Sequence, residues 1–263
     1  GTAAACWLMP NKLSLASHPP RALDVLYGDG IRLLGGDVHL ATGSMHASIS
    51  MVAFDPVPAG ITASIRLMTR DQQWASATQP LPSQGWQRGQ LRTLDFDLPL
   101  AAGTPPGVYS VAVDLHPPEG GLLNRLPASL AYANPIVGSV TLGPAVITQA
   151  PSGAAGARTP LATNFGTLRL EGWQVPQLIE QAQYVPFDMW WRPRQAPSGD
   201  WVASLKVVDD SGTVWAGHDD QPRGGYNPTS QWPAGQLQRD VQMIQLPPGI
   251  PPGEYTLQAS WYD

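Results

Sequence analysis

The sequence predicts an all-β protein built as two tandem antiparallel β-sandwiches, and three observations carry that prediction. Its 263 residues include 28 Pro and 27 Gly, spaced so closely that nearly every window long enough for a helix is broken. The segments between them alternate apolar and polar residues with period two, as half-buried strands do. The chain also repeats itself: "PPGVYSVAVDL" is echoed by "PPGEYTLQASW", the mark of a duplicated unit.

The length suits two domains at about 100–200 residues each. With 43% hydrophobic residues, among them ten Trp, seven Tyr and four Phe, the chain has apolar material for two cores and lacks the composition of a disordered one. Only 13% of residues are charged and the net charge is −5. Lys12 and Lys206 are the only lysines, so no basic stripe exists for a phosphate backbone, which argues against nucleic acid as a partner. No apolar run approaches the roughly 18 residues of a membrane span. The single cysteine, Cys6, leaves no partner for an internal disulfide and reads as a buried or terminal thiol. No cofactor is expected.

Gly35 and Gly172 lie 137 residues apart, as do Pro56 and Pro193, which places Gly36 on Trp173, Val52 on Met189, Ala53 on Trp190 and Phe54 on Trp191. Trp74 then corresponds to Trp215, Trp86 to Trp232, and Tyr109 to Tyr255. Tyr109, Val111, Val113 and Leu115 share one face of a strand, and Tyr255, Leu257, Ala259 and Trp261 share one face of its counterpart. The Pro-Gly before each reads as a tight turn, making "DVQMIQLP" the hairpin partner of the final strand. "DWVASLKVVDDSGTVWAG" reads as a hairpin turning at 209–212, and "QLIEQAQ" (177–183) as the one candidate helical turn.

These spacings point to immunoglobulin-like or fibronectin-type-III-like sandwiches. The expected layout is an N-terminal segment 1–29 that contributes a strand, a first sandwich 30–150, a linker 151–163 and a second sandwich 164–263. The first copy continues past its Tyr-strand into a β-prone stretch around 137–147. The second copy has no such stretch, so it is expected to lack its last strand or to receive it from elsewhere, "KLSLAS" (12–17) being one candidate donor.

The motifs "F-G-x-x-x-L-x-G-W", "W-W-R-P", "L-x-V-x-D-x-x-G-x-x-W-A", "P-T-S-x-W" and "P-P-G-x-Y-x-L-x-x-x-W-Y-D" are fullest in residues 165–263. Together they resemble the C-terminal β-sandwich modules of bacterial (Chloroflexus-like) polyprenyl-phosphate-sugar-dependent membrane glycosyltransferases. The first copy departs from the pattern at Gly36, at "MTRDQQ", and in lacking Pro-Thr-Ser before Trp86. The resemblance implies an extracytoplasmic domain, anchored to the membrane through sequence outside this chain. It implies no catalytic residue.

The loop "WAGHDDQPRGGYNPTSQW" (215–232) gathers His218, Asp219, Asp220, Arg223, Tyr226 and Trp232. Aromatic faces with carboxylate and guanidinium groups suit a sugar; the alternative is an inter-strand loop pinned in the core by Trp215 and Trp232. Adjacent Trp190 and Trp191 must face opposite sides of a strand. Trp191 and Phe54 read as core, and Trp190 reads as a binding platform or, preferably, as the contact between the two sandwiches. His18, His39, His46 and His116 bear no metal-ligand spacing to His218. Neither a nucleophile motif nor a phosphate-cradling loop is present. The expected function is a non-catalytic structural or interaction module whose partner is a cell-surface glycan or a protein. A carbohydrate-binding module using Trp190 and the 215–232 loop comes second, and a glycoside hydrolase with paired carboxylates third.

Overall fold

The structure, a computed structural model, describes residues 21–27, 30–70, 72–120, 122–123, 125–127, 139–152, 159–175 and 184–263. Cys6, the "KLSLAS" segment and the candidate helical turn at 177–183 lie outside them. The described chain is all-β, with four antiparallel sheets, none closed into a barrel.

In the N-terminal half the strands are β1 (Arg21–Tyr27), β2 (Ile31–Ala41), β3 (Ser44–Ala53), β4 (Thr62–Thr69), β5 (Gln72–Pro80), β6 (Leu91–Pro99), β7 (Gly107–His116), β8 (Arg125–Pro127) and β9 (Val140–Ile147). One sheet runs β6-β3-β2-β1-β8 and the other β5-β4-β7-β9. Leu33, Met45, Ile49 and Met51 from the first meet Ile65, Leu67, Val111 and Val113 from the second in one cluster, all 0% exposed. In the C-terminal half β10 (Thr159–Phe165), β11 (Leu168–Gln174), β12 (Tyr184–Pro193) and β15 (Gln238–Gln245) form one sheet, and β13 (Val202–Val208), β14 (Val214–Asp220) and β16 (Thr256–Tyr262) the other. Their core is smaller and aromatic. Trp191 stands edge-on to Phe165 and Trp261 at 5.3 and 5.1 Å, and Trp232 edge-on to Trp261 at 6.0 Å, each pair contributing about 0.5–1.5 kcal/mol beyond its buried area.

Hydrogen bonding corrects the repeat in two places. Phe54 N–H donates to Gly30 O while Arg194 N–H donates to Thr167 O, so β3 and β12 correspond at a separation of 140 residues, not 137. Leu33 faces Met51 where Leu170 faces Trp191; the counterpart of Trp191 is therefore Met51 and that of Trp190 is Ser50. Phe54 is half-buried under the Arg32 guanidinium, 5.7 Å from its ring centroid, instead of filling the core. Between the paired positions Leu170 and Trp191 the second copy carries three more residues than the first does between Leu33 and Met51, and an ungapped comparison of the copies hides this.

The Pro-Gly turns are also not hairpins. β15 pairs with β12 and β16 with β13, so 246–255 carries the chain from one sheet to the other, as 100–106 does from β6 to β7. At the end of each crossing a tyrosine hydroxyl donates to the carbonyl four residues back, Tyr109 to Pro105 and Tyr255 to Pro251, both at 2.6 Å. The proline-rich phrase therefore turns a corner between sheets. The β13–β14 hairpin forms as expected. Asp209 closes it by accepting from the Ser211 hydroxyl at 2.6 Å and from Trp215 Nε1 and the Thr213 and Ser211 N–H groups at 2.8–2.9 Å, which together hold its carboxyl down to about 2. Strand β10 begins at Thr159, inside the segment read as linker, and β1 pairs with β2 and β8, so both copies begin with an added strand.

A Cβ on Gly36 would lie 2.4 Å from Ser48 O and 2.6 Å from Leu142 Cδ2, whereas one on Gly143 would meet nothing within 4 Å. Gly36→Ala is expected to destabilise the first sandwich by about 1–3 kcal/mol through overpacking, and Gly143→Ala to change stability by less than about 0.5 kcal/mol. Thermal denaturation of the two variants checks this.

Candidate functional site

The side chains of highest chemical interest converge on the seam between the two sandwiches. On β12 and β15, facing positions share a face of the sheet. Trp191, Met189 and Phe187 lie opposite Gln238, Asp240 and Gln242 on the inner face, while Trp190 and Asp188 lie opposite Arg239 and Val241 on the outer one. An outer face would ordinarily be solvated, yet Arg239 is 6% exposed, Trp190 1% and Val241 0%, because this face docks on the first sandwich. Val241 belongs to the core cluster of that first sandwich.

Arg239 holds the seam through all parts of its residue. Its backbone N–H donates to Gly103 O at 2.8 Å. Its guanidinium donates to Trp74 O and, at 2.8 Å, to the Asp188 carboxylate. The same group lies 5.6 Å from the Trp74 ring centroid and 5.7 Å from that of Trp190, within cation–π range of both. Trp190 Nε1 donates to Ala102 O at 3.0 Å. Burial pushes the Asp188 carboxyl up, and the Arg239 charge opposes that shift. The approach requires a glycine: Gly103 has φ +80, and a Cβ there would sit 2.9 Å from Arg239 N.

A second arginine repeats the device. Pro222–Gly225 forms a short 3-10 turn in which Arg223 takes a left-handed φ of 57. Its guanidinium donates to Val108 O and lies 4.3 Å from the Tyr109 ring centroid, and a Cβ on Gly107 would collide with it at 2.2 Å. Burial beneath this arginine drives the Tyr109 phenol far upward, against the opposing pull of Arg223 and Arg239. Close by, Arg70 lies 5.4 Å from the ring centroid of Tyr226, which is otherwise 66% exposed.

What pins the Arg223 turn is Asp240, wholly buried inside the second sandwich. It accepts the Arg223 backbone N–H and two hydrogen bonds from Gln242 Nε2 at 2.9 and 3.1 Å. Burial, with a smaller contribution from the Asp220 charge, pushes its carboxyl up to about 7.

The sequence-derived candidates therefore separate. Trp190 and Arg223 are in the seam, and Tyr226 is at its rim. Trp232 is 1% exposed, its Nε1 donating to Asn227 O at 3.0 Å, so neither buried tryptophan offers a face to a ligand. Trp215 is only half-buried, at the β13–β14 hairpin, and does not pin the loop in the core. His218 and Asp219 are neighbours on β14 and so project to opposite faces, and Asp220 accepts from Gln221 N–H at 2.8 Å. Among the described residues no three His, Cys, Asp or Glu side chains converge as metal ligands would. Sequence reasoning missed Asp188, Arg239, Asp240 and Gln242. The signal was the comparison of β15 with β6, which puts Asp240 and Gln242 where Leu94 and Phe96 fill the first core.

A cleft of about 260 Å³ opens beside the seam, lined by Gln73, Trp74, Ser76, Gln174, Asp188 and Arg239. Asp188 Oδ1 and Arg239 Nε are buried and have no hydrogen-bond partner among the described residues. Compared with protein-family models and with curated proteins, the chain matches none. No helix among the described residues is long and apolar enough to cross a membrane.

Two outcomes follow. Arg239→Ala leaves the Asp188 carboxylate buried without its charge partner and is expected to cost about 3–5 kcal/mol and to split calorimetric unfolding into two transitions; Arg239→Lys, lacking the planar fork, does not restore a single one. The second concerns pH. Because the folded carboxyl of Asp240 titrates near 7 and the unfolded one near 3.8, its contribution is fully present below pH 3.8 and is lost as pH rises through 7. In Asp240→Asn that part of the pH dependence is expected to vanish, leaving the variant with the greater relative stability at pH 8 in denaturant titrations.

Proposed function

We propose that the chain is a non-catalytic, extracytoplasmic structural and interaction module, a tandem of fibronectin-type-III-like sandwiches. It accompanies a membrane glycosyltransferase-like protein and meets a protein partner at the cell surface. The observation that carries this reading is the use made of Trp190, Arg223 and Arg239: the residues best equipped to hold a ligand are spent on joining one sandwich to the other. A binding loop leaves such groups facing solvent, whereas a module that must keep two domains in fixed relation buries them. The strand order β2-β3-β6 against β5-β4-β7-β9, with the tyrosine corner at β7, supports the fibronectin-like assignment. The membrane association rests on the sequence motifs of the second copy.

A carbohydrate-binding role is the second reading, and the seam cleft favours it. Asp188 and Arg239 line it with one unpartnered polar atom each among the described residues, Oδ1 and Nε, and Gln73, Ser76 and Gln174 supply further hydrogen-bonding groups around them. Application of the purified chain to a broad glycan array separates the two. Silence from a folded sample is the expected result. Selective binding that disappears in Asp188→Asn would replace the structural reading with the carbohydrate one.

A further inference from the structure

His39 and His46, which bear no spacing relation to His218, stand directly opposite each other on β2 and β3, and His46 in turn stands opposite Asp97 on β6. Two residues further from the β2–β3 turn, Asp37, Ser48 and Asp95 form a second row across the same three strands. The row between them, Val38, Ala47 and Phe96, packs into the core of the first sandwich. The histidine and aspartate rows therefore lie together on the outer face of the sheet. Both imidazoles are open to solvent, 55% and 54% exposed.

Each ring has one nitrogen already engaged. His39 Nε2 meets Asp37 Oδ2 at 2.7 Å, and His46 Nδ1 meets Asp97 Oδ1. A carboxylate can only accept, so the nitrogen beside it carries the hydrogen, and the other nitrogen, Nδ1 of His39 and Nε2 of His46, keeps its lone pair. Metal-binding histidines are prepared in this way: a carboxylate behind the ring fixes its tautomer and makes the ligating nitrogen more basic. Directly opposite side chains have Cβ atoms about 4.5–5.5 Å apart, close enough for two imidazoles to reach one ion at about 2.0–2.1 Å from each nitrogen. No Lys or Arg occupies either row, so Asp37, Asp95 and Asp97 leave the patch with a negative field that draws cations in.

We propose that His39 and His46 chelate one divalent transition-metal ion, Zn²⁺ or Cu²⁺, on the outer face of the first sandwich, with Asp37 and Asp97 orienting the two rings from behind. Imidazole nitrogen suits these ions, whereas Mg²⁺ and Ca²⁺ require oxygen ligands. Among the described residues no third His, Cys, Asp or Glu converges on the pair, so water completes the coordination and the site is an open one. The bound ion ties β2 to β3 and stabilises the folded chain by mass action.

The test is calorimetric titration of the whole chain, carrying Cys6→Ser so that no thiol competes, with Zn²⁺ and with Cu²⁺. One ion per chain is expected, Cu²⁺ binding more tightly than Zn²⁺ and Mg²⁺ not binding. His39→Ala, His46→Ala and the double variant should each lose at least tenfold in affinity, and to the same degree, because a chelate needs both rings. Asp37→Asn and Asp97→Asn should each bind about 10–100-fold more weakly with the stoichiometry unchanged. All four side chains lie on the solvated face, so the variants keep the fold; thermal unfolding without metal checks this, and added Zn²⁺ should raise the midpoint only where both histidines are present. Unchanged affinity in either single histidine variant would overturn the proposal. So would two ions that bind independently, each single variant losing one of them, and so would the absence of binding at submillimolar Zn²⁺ and Cu²⁺.

Discussion

The guanidinium of Arg239 sits where two hydrophobic cores meet, between the rings of Trp74 and Trp190, bonded to a carbonyl of one sandwich and a carboxylate of the other. A buried charge is tolerated only where opposite charge and hydrogen bonds replace its lost hydration, and here those groups come from both halves of the chain. Neither sandwich alone satisfies it. The seam is therefore a condition for burying Arg239 as well as a result of it, and the arrangement of Trp190, Asp188 and Gly103 follows from meeting that condition.

The second sandwich is deformed to serve the seam. Its β15 is buried on both faces, and the inner face bears Asp240 and Gln242 in place of the Leu94 and Phe96 of the first copy. Two apolar side chains have been exchanged for a hydrogen-bonded polar pair that holds the Arg223 turn by its backbone. The exchange reduces the hydrophobic content of that core, and the cluster of Trp191, Trp232 and Trp261 supplies large apolar surface in compensation.

Much of this architecture was legible in the sequence. The all-β class follows from Pro/Gly density and period-two alternation, and the duplication from the recurring Pro-Pro-Gly-x-Tyr phrase. The preference for Trp190 as an interdomain contact rested on its having no large counterpart, and that argument survives the corrected register, with Ser50 in place of Ala53. The sheet crossings were misread as hairpins because a Pro-Gly turn looks the same in sequence whether it reverses a strand within a sheet or carries it to the other. The seam was harder to see. Arg239 and Asp188 are single charges in alternating strands, indistinguishable from solvated positions until the outer face of β15 is known to be covered. The 215–232 loop drew attention through its density of polar and aromatic groups, and density alone does not say whether such groups face solvent or a neighbouring domain.

Both copies contain the same corner, with glycines at 103 and 107 in one and at 249 and 253 in the other, but only the first pair lies against a neighbour; Gly249 faces open space. The two units share one sequence pattern, yet one presents a socket and the other a plug. Their roles are thus not interchangeable: the arginines belong to one copy and the glycines that admit them to the other. A duplication that began as repetition has acquired a direction.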